Sequence, residues 1–239
     1  MNAQRQAVID AIKGRLIVSC QAYPGEPMRR SDITATVAQS VVAGGAAAVR
    51  VQGIADIVAC RQAVEVPLIG LIKFGHEGVY ITPSIAHARA CALNGADVIA
   101  IDATLRERGE GETFADAVSA IHEEFPGVAI MADCASVEDA KAAEQAGADF
   151  IGTTLSGYTP GYQYARAATA GPDFDFIAAV CQSVHAPIVV EGRIHSPQDL
   201  AKVYQYPIHA ACVGTAITHP WRLTEWYVCL LYTSDAADE

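Results

Sequence analysis

AGGAAAVRV (43–51), NGADVIAID (94–102) and AGADFIGTT (146–154) decide the fold. Each carries a small residue, a glycine and an alanine straight into an apolar run. Gly45, Gly95 and Gly147 fall where a helix would end in a left-handed residue, and the run that follows reads as a strand. The glycines are 50 and 52 residues apart, which is two strand–helix units each. Eight such units nearly fill the chain.

Working outward, short apolar runs at 16–21, 47–52, 68–73, 97–104, 128–134, 150–155, 187–193 and 211–218 are candidate strands. Helical periodicity lies between them, for example at 32–43, 84–93, 137–145, 174–184 and 197–204. Alternation of this kind implies a parallel sheet with right-handed crossovers. The fold expected is a single (β/α)8 barrel with a short N-terminal helix (MNAQRQAVIDAIKGR, 1–15). A doubly wound open sheet is the alternative, but it needs a switch in strand order that the sequence does not display.

No linker or low-complexity stretch divides the chain, so one domain is expected over 1–228, cut short at its C-terminus. The last eleven residues (CLLYTSDAADE, 229–239) read as a non-native, adapter-encoded tail, because they interrupt an amphipathic helix with aperiodic sequence.

The 239 residues are 51% hydrophobic with a mean hydropathy of +0.22. That suits parallel strands covered on both faces. The net charge of −11 and the lack of a basic stripe argue against nucleic acid as a partner. No run is long and apolar enough for a membrane span, and the N-terminus lacks a signal-peptide core. Seven scattered cysteines without a CxxC pair read as free thiols, and a cytoplasmic location is expected.

In barrels of this class, chemistry sits where strands end. Gln21, Arg50, Lys73, Asp102, Asp133, Glu191 and Arg193 all lie at such ends. Taken singly, any of them could simply mark the point where a strand meets water. Lys73 closes PLIGLIK, and partial burial would lower its pKa enough for a base or a Schiff-base nucleophile. The competing reading is a lysine snorkelling at the rim. Glu191 ends APIVVEG, where desolvation would raise its pKa for acid–base work. It could equally form a structural ion pair with Arg50.

The loops GRIHS (192–196) and GTAITH (214–219) follow the seventh and eighth strands, where this fold often binds phosphate. Ser156 and Tyr158 open a longer loop, TPGYQYARAATAGP (159–172), long enough to cover a site. The histidines have no metal-binding spacing, so no metal is expected. Asp102 and Asp133 could share one only if their strand ends converge.

The strings LIVSCQ, VRVQG, PLIGLIK, DVIAIDAT, MADCAS, IGTTLSGYT, VVEGR and VGTAIT together resemble the N-acetylmannosamine-6-phosphate 2-epimerases, from about Gly14 to Val228. That family interconverts N-acetylmannosamine 6-phosphate and N-acetylglucosamine 6-phosphate in bacterial sialic-acid breakdown. The resemblance implies that Lys73 and Glu191 are catalytic and need no cofactor. It places Gln21, Arg50, Asp133, Ser156 and Tyr158 around the sugar. Gly192, Arg193, Gly214, Thr215 and His219 then surround the phosphate. The partners implied are the phosphorylated amino sugar and a second copy of the chain in a homodimer. One departure is Thr218-His219-Pro220, where the family has an arginine between the threonine and Pro or Leu. Segments 74–83 and 103–111 also differ from the commonest family forms. A class I aldolase using Lys73 as Schiff-base former, or an inactive sugar-phosphate-binding barrel, are the other readings.

Overall fold

The computed structural model describes residues 2–75, 77–159 and 171–235, the side chains of 110 and 230–235 excepted. Within them lie strands β1 (Leu16–Cys20), β2 (Ala48–Gln52), β3 (Leu68–Leu71), β4 (Val98–Asp102), β5 (Ala129–Asp133), β6 (Phe150–Gly152), β7 (Ile188–Glu191) and β8 (Ala210–Val213). The helices are α1 (Ala3–Ile12), α2 (Ser31–Ala43), α3 (Ile54–Ala63), α4 (Ile85–Leu93), α5 (Phe114–Glu124), α6 (Val137–Gln145), α7 (Phe174–Ser183), α8 (Pro197–Val203), α9 (Thr215–Thr218) and α10 (Pro220–Asp235).

The strands pair in chain order and close. β1 is parallel both to β2 and to β8, with Leu16, Ile17 and Val18 opposite Ala211, Cys212 and Val213. That last pairing rules out an open sheet. The protein is a single (β/α)8 barrel.

The three repeated segments end their helices in one way. Ala46, Ala96 and Ala148 donate to the carbonyls of Val41, Cys91 and Ala143, and the glycines before them donate to Val42, Ala92 and Glu144. This double bond pattern needs a left-handed residue, and Gly45, Gly95 and Gly147 have φ of 101°, 99° and 90°. The next one or two residues bond directly to the neighbouring strand, Ala47 to Leu16, Asp97 to Leu68 and Asp149 to Ile130.

Side chains alternate along each strand. Ile17, Ala48, Ile69, Leu71, Val98, Ala100, Ala129, Met131, Phe150, Val189, Ala210 and Cys212 fill the barrel interior in one cluster. α1 closes its floor by adding Ile9 and Ile12 to that cluster, and His209 bonds to the Ile9 carbonyl at 2.8 Å. Residues of the opposite parity, such as Val49, Val51, Ile99 and Ile130, pack against the surrounding helices.

All eight strands are shorter than the runs read from the sequence, the sixth and eighth by half. The eighth stops at Val213, and Thr215–Thr218 is a helical turn. Gly214 (φ −111°, ψ −88°) turns the chain there, close to Ser19, where an added Cβ would lie 3.3 Å from the serine Cβ. The sixth stops at Gly152, after which Leu155 bonds to Cys134 and Ser156 to Thr153. α10 runs across the boundary proposed at 228/229. Most of the long loop after the sixth strand (160–170) lies outside the described residues, as does 236–239.

Candidate active site

The inward parity of the core continues into the barrel mouth. After Ile17 come Ser19 and Gln21; after Ala48, Arg50; after Leu71, Lys73; after Met131, Asp133. Thr154 lies four residues past Phe150, and Glu191 two past Val189. Apart from Asp133, all these polar residues line one cleft, together with Tyr23, Tyr80, Tyr158, His195, Cys212 and the loops after β7 and β8.

Arg50 organises the floor. Its guanidinium is 1% exposed and makes a bidentate pair with the fully buried Asp133, at 2.6 and 3.1 Å. The same Nη1 reaches Glu191 Oε2 at 2.5 Å. Burial opposes the Arg50 charge, but Asp133 and Glu191 more than offset it and hold the guanidinium protonated. Glu191 titrates above the usual carboxylate range: its burial and the nearby Asp133 charge outweigh Arg50 and the hydrogen bonds from Cys212 and Thr154.

Lys73 sits two residues beyond the end of β3, in an isolated antiparallel bridge to Ile81. Its Nζ lies 5.3 Å from the centre of the Tyr23 ring, and among the described residues it has no hydrogen bond or ion pair. Burial lowers its pKa to about 8, helped by repulsion from Arg50 and opposed by Glu191 and Asp133. More of it is therefore free amine near neutral pH than in an ordinary lysine.

At the other end of the cleft, the backbone N–H groups of Gly192, Arg193, Gly214 and Thr215 donate to no acceptor among the described residues. Gly192 has φ 117°, and Arg193 takes the left-handed conformation at φ 54°. Both lie in the turn that brings their amides to the cleft.

The remaining expected residues are placed less uniformly. The Arg193 guanidinium turns away from the loop ends to bond the Ser156 and Gly171 carbonyls at 2.6 and 2.9 Å. Ser156 is off the cleft wall, with its hydroxyl 3.2 Å from Asp173. Tyr158 is half exposed at the rim, 5.6 Å from the Arg193 guanidinium. Gln21 donates to Ser19 at 2.9 Å. His219 lines the cleft, but its Nε2 bonds the Gln21 carbonyl and its Nδ1 lies 3.7 Å from Glu26. Asp102 is not in the cleft; it is tied to Arg106 and Thr104 at 2.6 Å each. Among the described residues, no group of three or more His, Cys, Asp or Glu side chains could hold a metal ion.

Sequence reasoning passed over Ser19, Tyr23, Tyr80, Thr154, His195 and Cys212. Inward parity from Ile17, Phe150 and Ala210 would have found Ser19, Thr154 and Cys212. Nothing local marks Tyr80, which reaches the mouth only because Lys73 bridges to Ile81.

A lysine with a lowered pKa and a partly buried carboxylate with a raised one, facing a glycine-lined end of one cleft, are the equipment of a (β/α)8-barrel enzyme that moves protons on a small substrate. Comparison narrows this class. The sequence model of the NanE family, described as "Putative N-acetylmannosamine-6-phosphate epimerase", matches residues 34–231, and the chain belongs to that family. It is 45% identical over 229 residues to a Cutibacterium acnes protein named "Putative N-acetylmannosamine-6-phosphate 2-epimerase", covering 95% of this chain and 98% of that one. A Corynebacterium glutamicum protein of the same name is 43% identical, with 97% and 99% covered. The solved N-acetylmannosamine-6-phosphate 2-epimerase of Clostridium perfringens superposes with a TM-score of 0.87 at 38% identity, over 93% of this chain and 95% of that one. A thiamine phosphate pyrophosphorylase from Pyrococcus furiosus shares the fold alone, with a TM-score of 0.59 at 18% identity.

Proposed function

We propose that the chain is a cofactor-independent epimerase that inverts C2 of N-acetylmannosamine 6-phosphate to give N-acetylglucosamine 6-phosphate, and the reverse. The observation that carries this reading is the convergence of Lys73 and Glu191, with opposed pKa shifts, on one cleft. In the open-chain sugar, C2 adjoins the C1 aldehyde, so its hydrogen is acidic. The free amine of Lys73 takes that proton and leaves an enolate whose charge rests on the C1 oxygen. Glu191, whose pKa burial raises, returns a proton to the opposite face, and the roles exchange in the other direction. No oxidation occurs, so no redox cofactor is consumed. The cationic Arg50 and the newly formed Lys73 ammonium favour the enolate charge inside a site of low dielectric.

Gln21, Arg50, Asp133 and Tyr158 shape the sugar end, with Ser156 supporting the loop from behind. The unpaired amides of Gly192, Arg193, Gly214 and Thr215 receive the phosphate, and His219 stands beside them. The barrel occupies 1–228, with 229–239 outside it. Free thiols throughout support a reducing, cytoplasmic setting. No described helix is long and apolar enough to cross a membrane. Apolar surface at Trp221, Tyr227 and Val228 on α10 supports a homodimer, measurable by sedimentation.

The decisive test is proton NMR of N-acetylmannosamine 6-phosphate with enzyme in deuterated water. The expected product carries deuterium at C2 without added nucleotide. Absence of conversion would remove the substrate assignment. Conversion with the original hydrogen wholly retained would remove exchange between two solvent-accessible groups.

A further inference from the structure

We propose that Thr154 is a positioning residue whose single hydroxyl proton is shared between Asp133 and Glu191 and fixes the Glu191 carboxyl for proton transfer. The inference rests on the acid–base role proposed for Glu191.

The geometry is that of a switchable donor. Thr154 Oγ1 lies 2.7 Å from Asp133 Oδ1, 3.3 Å from Glu191 Oε2 and 3.2 Å from Arg50 Nη1. A hydroxyl has one proton to give and lone pairs to receive, so it accepts from Arg50 and can donate to only one carboxylate at a time. The shorter distance assigns the resting bond to Asp133, which already takes two N–H bonds from Arg50. When Glu191 gives up its proton, its new charge competes for the hydroxyl, and rotation about one side-chain bond redirects the donor to it. Asp133 keeps its bidentate arginine throughout. When Glu191 regains a proton, the hydroxyl returns to Asp133. No atom is consumed in either direction.

Among the described residues, charged and titratable groups face Glu191 from several elements: Arg50 from β2, Lys73 from the end of β3, Asp133 from β5, Cys212 from β8 and Tyr23 from the stretch after β1. Its backbone is fixed separately, because Thr153 Oγ1 donates to the Glu191 carbonyl at 2.9 Å and accepts from its N–H at 3.0 Å. Thr153 thus holds the main chain, while Thr154 touches the reacting carboxyl. Among the described residues, Thr154 is the neutral group hydrogen-bonded to both carboxylates, and its hydroxyl can reorient, whereas Arg50 is held by both.

Thr154→Val keeps the shape and removes the hydroxyl. Loss of a hydrogen bond to a charged group corresponds to a fall in kcat of roughly ten- to a hundredfold. KM should stay within about twofold, because the contact changes with the proton rather than with substrate binding. Donation to a carboxylate favours its charged form, so the limb of the pH–kcat profile belonging to Glu191 should move to higher pH in Thr154→Val. Thr154→Ser should restore both kcat and the wild-type profile. If Thr154→Val does not fold, as judged by its melting transition, Thr154→Cys replaces it: the weaker donor should give an intermediate kcat and an intermediate limb. A wild-type profile in the Val or Cys variant, or a Ser variant as impaired as the Val variant, overturns the proposal. Glu191→Gln, run in parallel, separates the two ideas. If that variant is fully active, the role of Glu191 itself fails; if it is inactive while Thr154→Val behaves as wild type, only the inference about Thr154 fails.

Discussion

The Arg50 guanidinium reaches across the mouth of the barrel to Glu191, 2.5 Å from Nη1 to Oε2, and so joins β2 to β7 over 141 residues of sequence. That contact has two effects of opposite sense. It draws the Glu191 pKa down against the upward push of burial, and the same positive charge helps to drive the proton off Lys73. One fixed cation therefore shifts the pKa of both groups. An ion pair between Arg50 and Glu191 was the plain structural alternative to catalysis for this carboxylate; the pair exists, and its geometry is compatible with a working acid.

Removing either proton-handling group should abolish turnover and spare the fold. General acid–base groups contribute on the order of 10²–10⁴-fold each. Lys73→Ala and Glu191→Gln are each expected to lose activity on that scale, with the circular dichroism of a folded barrel. Glu191→Gln keeps the shape but cannot carry the proton. Turnover of Lys73→Ala within a few-fold of wild type would end the assignment of the base. Borohydride with substrate should leave Lys73 unmodified, whereas a trapped adduct would favour a Schiff-base enzyme.

Lys73 should make activity depend on pH below about pH 8 and stability depend on pH above it. As a base it works unprotonated, so kcat/KM should rise with pH and level off above about pH 8. Its folded pKa lies below the unfolded value of about 10.4. The unfolded chain therefore binds more protons between those values, and stability rises with pH across that range. Below about pH 8 the buried ammonium costs up to about 3 kcal/mol. Lys73→Met, which keeps the length without the charge, should melt higher than wild type at pH 7 while being inactive, with the gain shrinking towards pH 10. A lower melting point at pH 7 would show that the ammonium is stabilising where it sits.

Much of this was legible before any coordinates, for reasons that differ by element. Gly45, Gly95 and Gly147 announce helix ends because few other residues tolerate the φ those turns require. Lys73 and Glu191 stand out because a charge closing an apolar run has few explanations. Strand lengths were less legible, since a parallel strand ends where its neighbour does. Thr154 was hidden because threonine in IGTT reads as an ordinary strand former. The Arg193 side chain misled for another reason: a guanidinium beside a phosphate loop looks like an anion ligand, yet two backbone carbonyls claim it.

His219 is expected to act through Gln21. Its Nε2 donates to the Gln21 carbonyl and its ring packs 5.0 Å from Tyr23. His219→Gln places an amide N–H near the Nε2 position and should retain KM, whereas His219→Phe should raise it. Inhibition by inorganic phosphate should be equal in wild type and His219→Gln if, as proposed, the loop amides bind the anion. Much weaker phosphate inhibition in His219→Gln would restore the imidazole as a phosphate ligand.

Gly95→Ala and Gly45→Ala should destabilise the barrel unequally, although both glycines close the same turn. Each has φ near 100°, so a Cβ carries a backbone cost of about 1 kcal/mol at either site. At Gly45 the added Cβ meets nothing within 4 Å. At Gly95 it would lie 2.9 Å from Arg61 Cγ. Arg61 cannot yield freely: it pairs with Asp97 at 2.8 Å and bonds the carbonyls of Val64 and Val66, and Asp97 in turn receives the Leu68 amide at 2.8 Å. Moving it loosens the junction of α3, β3 and β4, so Gly95→Ala should lose about 1–3 kcal/mol more than Gly45→Ala. In a domain of this size each kcal/mol shifts Tm by roughly 2–4 °C. A double-mutant cycle isolates the clash: in an Arg61→Ala background, the cost of Gly95→Ala should fall to that of Gly45→Ala. Equal losses in the wild-type background, or an undiminished Gly95→Ala loss without Arg61, would show that the backbone alone sets the penalty.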